Sequence, residues 1–163
     1  MLQILFRDDY LAAVHKPPGL LVHRTGLDAG ETRFALQMLR DQLGRPVWPA
    51  HRLDKGTSGV LLFALSSEVA RILSQQQELK LWRKYYLAVV RGFLPQGGEL
   101  DYPLKEELDK IADKFSRDDK APQQAISRYQ PLQQVELPIP VSKYPAARYS
   151  LVALQPLTGR KHQ

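Results

Sequence analysis

The segment His51-Arg52-Leu53-Asp54-Lys55-Gly56-Thr57-Ser58-Gly59 runs directly into the apolar stretch Val60-Leu61-Leu62-Phe63-Ala64-Leu65. Six apolar residues without a polar interruption, bounded by turn formers, read as a buried strand. The residues before them hold two glycines and two hydroxyl side chains, a composition that allows a tight loop at a sheet edge with donors free for a phosphate or a base. Within that loop Asp54 lies between Arg52 and Lys55, and neighbouring cations hold a carboxylate ionised. An ionised carboxylate is what a nucleophile or a general base needs. Capping a turn would use the same residue equally well, and spacing alone leaves both readings open.

Outward from this point, helix and strand signals are interleaved. Toward the N-terminus, Leu2–Phe6 and Tyr10–His15 read as two short strands around an Asp8-Asp9 turn. Lys16-Pro17-Pro18-Gly19 interrupts the pattern and Leu20–His23 resumes an extended one. From Glu31 to Leu43, Phe34, Ala35, Met38, Leu39 and Leu43 fall on one helical face, and Gly44 supplies a C-terminal stop. Toward the C-terminus, Ser66 or Ser67 can cap a helix running to Glu78, with Val69, Ile72 and Leu73 inward. Lys84–Arg91 is rich in strand formers and ends at Gly92. Residues 93–122 are charged and irregular, with Leu108, Ile111 and Phe115 spaced for one amphipathic helical stretch. Extended segments follow near Ala125–Gln134 and Ala147–Gln155. Most links between strands are too short for parallel crossovers. The expected class is α+β with a mainly antiparallel sheet.

The chain has 163 residues, enough for one domain with a real core. The absence of cysteine excludes disulfide frameworks, thiol nucleophiles and cysteine-ligated zinc, and it suits a cytoplasmic location. Histidines at 15, 23, 51 and 162 lack zinc-ligand spacing, and Gly56 and Gly59 do not form a phosphate-binding glycine loop. Asp8-Asp9 has too few companion carboxylates for a two-metal site. The longest apolar run near the middle falls far short of the roughly 20 residues a membrane-spanning helix requires. A net charge of +6, spread through folded-looking sequence rather than gathered in a tail, favours a polyanion-binding face or groove.

His51-Arg52-Leu53-Asp54, with Thr57-Ser58-Gly59 two residues further on, resembles the signature of the RluA-type pseudouridine synthases. Three further stretches are similar to that family in the same order. Asp9-Tyr10 through Val14-His15-Lys16-Pro17-Pro18-Gly19-Leu20-Leu21-Val22-His23 resembles its opening motif. Lys84-Tyr85-Tyr86-Leu87-Ala88-Val89-Val90-Arg91-Gly92 resembles its middle motif, and Leu157-Thr158-Gly159-Arg160-Lys161-His162-Gln163 its third. Leu100–Glu107, the residues up to Lys114-Phe115, and the ending Gly159–Gln163 look closest to a tRNA-modifying subgroup.

The resemblance implies a pseudouridine synthase fold, a mixed and mainly antiparallel sheet flanked by helices and loops around a central cleft. It implies a single catalytic domain over residues 1–163, cut short on its C-terminal side and without the extra N-terminal RNA-binding domain that many members carry. The implied reaction detaches uracil from ribose, rotates it and rejoins it through carbon, with no cofactor and no metal. Asp54 would attack the ribose C1′ or the uracil C6, or support elimination at the sugar. Arg160 would pair with Asp54, and Tyr86 would stack on the flipped base. Arg52 would enter the stack that the base leaves, a task that suits a planar guanidinium. His51, Thr57, Ser58 and Lys16 are the remaining candidates for substrate binding. Lys16 with Pro17-Pro18 would shape a cleft wall, while His51 suits packing or hydrogen bonding beside the loop. The implied partner is structured RNA, tRNA first, bound by a monomer. An rRNA or dual-specificity synthase is the alternative within the class, and a non-catalytic RNA-binding or folding module the alternative outside it.

Overall fold

The computed structural model describes residues 1–24, 32–105, 121–160 and 163. Glu31, the stretch around Leu108, Ile111 and Phe115, and Lys161-His162 lie outside the described residues. The chain divides into two compact units, the first comprising Met1–Leu81.

In the first unit the strands β1 (Gln3–Arg7) and β2 (Leu11–Lys16) pair as an antiparallel hairpin. Asp8 closes the turn, its carboxylate accepting from the backbone N–H groups of Tyr10 at 2.8 Å and Leu11 at 2.6 Å. Helix α1 (Ala35–Leu43) follows, then the two-residue strand β3 (Trp48–Pro49), the strand β4 (Gly59–Ala64) and helix α2 (Ser67–Glu78). The sheet order is β1-β2-β4-β3, with every neighbour antiparallel. Period-2 alternation sends Ala12 and Val14 of β2, and Leu61 and Phe63 of β4, to the buried face. Their register sets Ala12 opposite Phe63, Val14 opposite Leu61 and Lys16 opposite Gly59. Lys16 therefore continues the buried row, at the end of the sheet where the His51–Gly59 loop enters.

Three sequence expectations in this unit need correction. Helix α1 begins at Ala35, with Phe34 extended (φ −137°, ψ 141°) and bridged to Leu21. The reason lies in its first N–H groups, which have no partner inside a helix: Ala35 and Leu36 donate to the carbonyls of Leu21 and Val22, each at 2.9 Å. Leu20–His23 is consequently no strand but a segment that receives the helix start. At the other end, Gly44 adopts φ 64°, ψ 24° and its N–H returns to the Arg40 carbonyl, the left-handed stop that glycine permits. In α2, capped by the Ser66 hydroxyl on Val69 N–H, the inward stripe runs through Val69, Leu73 and Gln77. Ile72, expected to face inward, lies one position off that stripe and is 41% exposed.

The second unit comprises residues 82–105, 121–160 and 163. Its strands β5 (Tyr86–Arg91), β6 (Gly98–Asp101), β7 (Ile126–Leu137) and β8 (Ala147–Pro156) form an antiparallel sheet ordered β5-β8-β7-β6. Strand β6 falls inside the stretch expected to be irregular. The buried Ser150 of β8 organises the turn after β5: its hydroxyl donates to the Gly92 carbonyl at 2.8 Å and accepts from Leu94 N–H at 3.0 Å. The fold is α+β, with the extended segments paired antiparallel in two sheets.

Candidate active site

The loop between β3 and β4 is held at both ends. At its start, Ala50 N–H donates to the Leu62 carbonyl at 2.8 Å, and the Gln77 side-chain amide donates to the Ala50 carbonyl. Leu62 N–H donates to Nε2 of His51 at 3.2 Å, so the His51 ring braces the loop against β4. Leu53 is buried beneath the loop, which anchors the chain one residue before the carboxylate. Thr57 N–H donates to the Asp54 carbonyl at 3.0 Å and closes a turn around Lys55 and Gly56. Asp54 and Thr57 are half-buried, whereas Arg52 and Ser58 are exposed. The carboxylate thus projects from a tight turn with a guanidinium two residues away that is open to solvent, an arrangement suited to an extended polyanion.

Lys16 belongs to the same neighbourhood but points inward. Its side chain has no exposed surface, and Nζ donates to the carbonyls of Leu20 at 2.6 Å, Pro17 at 3.2 Å and Lys55 at 3.3 Å. Burial lowers its pKa from the ordinary lysine value, and the nearby negative charge of Asp54 works against that lowering. Gly19, at φ 83°, lets the Pro17–Leu20 turn come close enough for its N–H to donate to the Lys55 carbonyl at 2.7 Å. A cavity of about 540 Å³ borders that turn, lined by His15, Pro17, Pro18 and Arg33 among others. Asp54 is not among its walls, so the carboxylate and this cavity are separate features.

In the second unit Tyr86 opens β5, half-buried and opposite Leu154 of β8. The preceding Lys84 has its pKa lowered by burial, with Nζ 5.6 Å from the centre of the Trp82 ring. Arg160 follows β8 in an exposed turn, where its Nε donates to the Gln124 carbonyl at 2.9 Å. Gln163 fixes that turn. Its side-chain oxygen accepts from Arg160 N–H at 3.0 Å, while its amide donates to the Ile126 carbonyl at 2.9 Å and to Ser127 Oγ at 3.0 Å. Sequence reasoning missed the structural parts played by Gln163 and Ser150; buried or bridging polar side chains of this kind leave no periodic signal. Lys16, His51, Arg52, Asp54, Thr57 and Ser58 are therefore carried by the first unit, and Tyr86 and Arg160 by the second. Among the described residues no group of three or more His, Asp or Glu side chains is placed to hold a metal ion.

The family model described as RNA pseudouridylate synthase matches residues 10–163. The chain belongs to the RNA pseudouridylate synthase family. The tRNA pseudouridine synthase C of Pasteurella multocida is 62% identical over 99% of this synthase chain, which spans 67% of that relative. The protein of the same name from Haemophilus influenzae is 60% identical over 99% of the chain, which spans 68% of it. That from Yersinia pestis is 58% identical over the whole chain, which spans 63% of it. Among solved structures, human RNA Pseudouridylate Synthase Domain Containing 4 superposes with a TM-score of 0.66 at 27% identity, covering 99% of this chain and 61% of that one. Human RNA Pseudouridylate Synthase Domain Containing 1 shares the fold with a TM-score of 0.75 at 24% identity, over 100% and 62% of the respective chains. The synthase chain thus spans about two thirds of the length of the relatives it matches. The matched residues include the loop that carries Asp54.

Proposed function

We propose that the protein isomerises a uridine in tRNA to pseudouridine, with Asp54 as the nucleophile or the base that assists departure of the uracil. The observation that carries this reading is the position of Asp54 in a braced turn, in a chain 55–62% identical to proteins named tRNA pseudouridine synthase C. Arg52, exposed beside that turn, enters the stack vacated by the flipped base, and Thr57 and Ser58 offer hydroxyls to the nucleotide backbone. Extrusion of a uridine from a stem requires a few kcal/mol, roughly what binding a tRNA across a basic surface can supply. Tyr86 supplies an aromatic face for the uracil, and Arg160 a guanidinium of the kind that keeps a carboxylate ionised. The reaction needs neither cofactor nor metal, and the enzyme works as a cytoplasmic monomer.

The test is the pseudouridine content of tRNA after incubation with full-length wild-type protein and with Asp54→Asn. Product from the wild type and none from the variant supports the assignment. Product from both removes Asp54 from its role. Product found only with ribosomal RNA keeps the chemistry and changes the substrate.

A further inference from the structure

Segments distant in sequence are tied together around the cavity that borders the Pro17–Leu20 turn. Gln42 of α1 holds the start of β1, its side-chain oxygen accepting from Leu2 N–H at 2.8 Å and its amide donating to the Leu2 carbonyl at 3.0 Å. Gln3, the next residue, stands opposite His15 in the hairpin. The bridge between Phe34 and Leu21 fixes the backbone beside Arg33 against the segment that follows the turn. The turn itself is bonded to the Asp54 loop through Gly19 N–H and the Lys55 carbonyl. The walls are therefore set before a ligand arrives, which reduces the ordering cost of binding.

The lining has a definite chemistry. Arg33 supplies a guanidinium, His15 an imidazole and Gln3 an amide, while Pro17, Pro18 and Met38 supply apolar surface. No carboxylate is among the described residues that line the cavity. Arg33 is exposed, and among the described residues its guanidinium has no ion-pair partner. A second guanidinium, that of Arg24, lies 5.8 Å from the centre of the ring of Phe34, the residue after Arg33. At about 540 Å³ the cavity falls within the size range of sites that take small ligands or parts of larger ones. An open guanidinium beside proline and methionine surface suits a ribose-phosphate unit. The fork pairs with phosphate oxygens, and the sugar covers the apolar wall.

We propose that this groove is a binding subsite for the sugar-phosphate backbone of the tRNA outside the reacting nucleotide, with Arg33 pairing a phosphate and His15 beside it as a second donor. The proposal rests on the tRNA reading given above. It separates grip from chemistry. Asp54 does not line the groove, yet one short turn joins the two, so a strand with its uridine at Asp54 passes Arg33 within a few nucleotides. Contacts of this kind set the register of the RNA and carry no sequence information of their own.

The experiment measures tRNA binding by the full-length protein over a range of salt, for wild type, Arg33→Gln, His15→Ala and Arg40→Gln. Arg40 is the control: it is exposed on α1, does not line the groove, and its replacement changes the net charge by the same amount. Arg33→Gln is expected to weaken binding about 10-fold, the worth of one charge-assisted contact, and to reduce the slope of log affinity against log salt by about 1. KM for tRNA should rise in step. His15→Ala should weaken binding roughly 3-fold, as loss of one hydrogen bond does. Arg40→Gln should keep the wild-type affinity and slope. Wild-type affinity and slope in Arg33→Gln overturn the proposal. Equal losses in Arg33→Gln and Arg40→Gln overturn it too, since the effect is then one of overall charge. Slower turnover with tRNA affinity kept makes Arg33 part of the chemistry and equally overturns it. In the wild type, bound tRNA should shield Arg33 from phenylglyoxal, read by mass spectrometry. Shielding by inorganic phosphate but not by tRNA would reject the RNA subsite and leave a small-anion site. The binding readout needs no turnover. Should wild type and Asp54→Asn both leave tRNA unmodified while Arg33→Gln loses affinity and slope, the reading of the chemistry fails and the groove stands. Product that depends on Asp54, with binding unaltered in Arg33→Gln, rejects the groove alone.

Discussion

Replacing Ser150 with alanine removes one oxygen atom and two hydrogen bonds. The hydroxyl donates to the Gly92 carbonyl and accepts from Leu94 N–H, and Ser150 has no exposed surface. Each bond has a net value of about 0.5–1.5 kcal/mol, and a donor left unsatisfied in the interior adds to the loss. The expected destabilisation is therefore about 1–3 kcal/mol. For a protein of this size each kcal/mol corresponds to about 2–4 °C in Tm, so a fall of several degrees is expected. Because Gly92 N–H also donates to the Arg148 carbonyl at 2.8 Å, the turn stays attached to β8 and the loss should be local. Urea unfolding gives the free energy, and hydrogen exchange gives the place: the Leu94 amide should lose protection while the Val152 amide of β8 keeps it. A change below about 0.5 kcal/mol, within the range of ordinary surface substitutions, would refute the reasoning, because the hydroxyl would then be contributing nothing to the turn after the Tyr86 strand.

Leu61→Ala and Val60→Ala test the alternation of β4 in adjacent residues. The first, fully buried, should destabilise by about 2–5 kcal/mol and the second, 59% exposed, by about 0.5 kcal/mol or less, both read from urea midpoints. Ser66→Ala removes the cap of α2 and should cost about 1 kcal/mol, with increased amide exchange confined to the first turn. The pH dependence of Lys16 has a definite sign. Its folded pKa lies below the 10.5 of the unfolded chain, so between those two values the unfolded state binds more protons and stability rises with pH. Urea unfolding across that window should show the rise diminished in Lys16→Met, while the contribution of Lys84 cancels between the two proteins.

Much of the fold was written in periodicity. The β1–β2 hairpin, the buried run of β4, the stop of α1 at Gly44 and the start of α2 at Ser66 all follow from alternation, apolar content and capping chemistry. Strand β6 was not legible, because all four of its residues are exposed and no face alternates. The start of α1 was missed because carbonyls distant in sequence, those of Leu21 and Val22, satisfy its first turn. In the site, the loop carrying Asp54 was evident from its residues, whereas the direction of Lys16 was not. A lysine beside a proline-rich turn reads as a surface group. The row Ala12, Val14, Lys16 contained the answer only once β2 had been given its register against β4.

That row has a consequence for how the hairpin and β4 find each other. Strands with one apolar face can slip by two residues and still present the same face to the core. Here such a slip would separate the Lys16 ammonium from the Lys55 carbonyl, 39 residues away in sequence, while the Pro17 and Leu20 carbonyls move with it, and one buried donor would lose its acceptor. The lost bond disfavours misregistered pairings relative to the alignment that places Lys16 opposite Gly59 and brings the Asp54 turn to the end of the sheet.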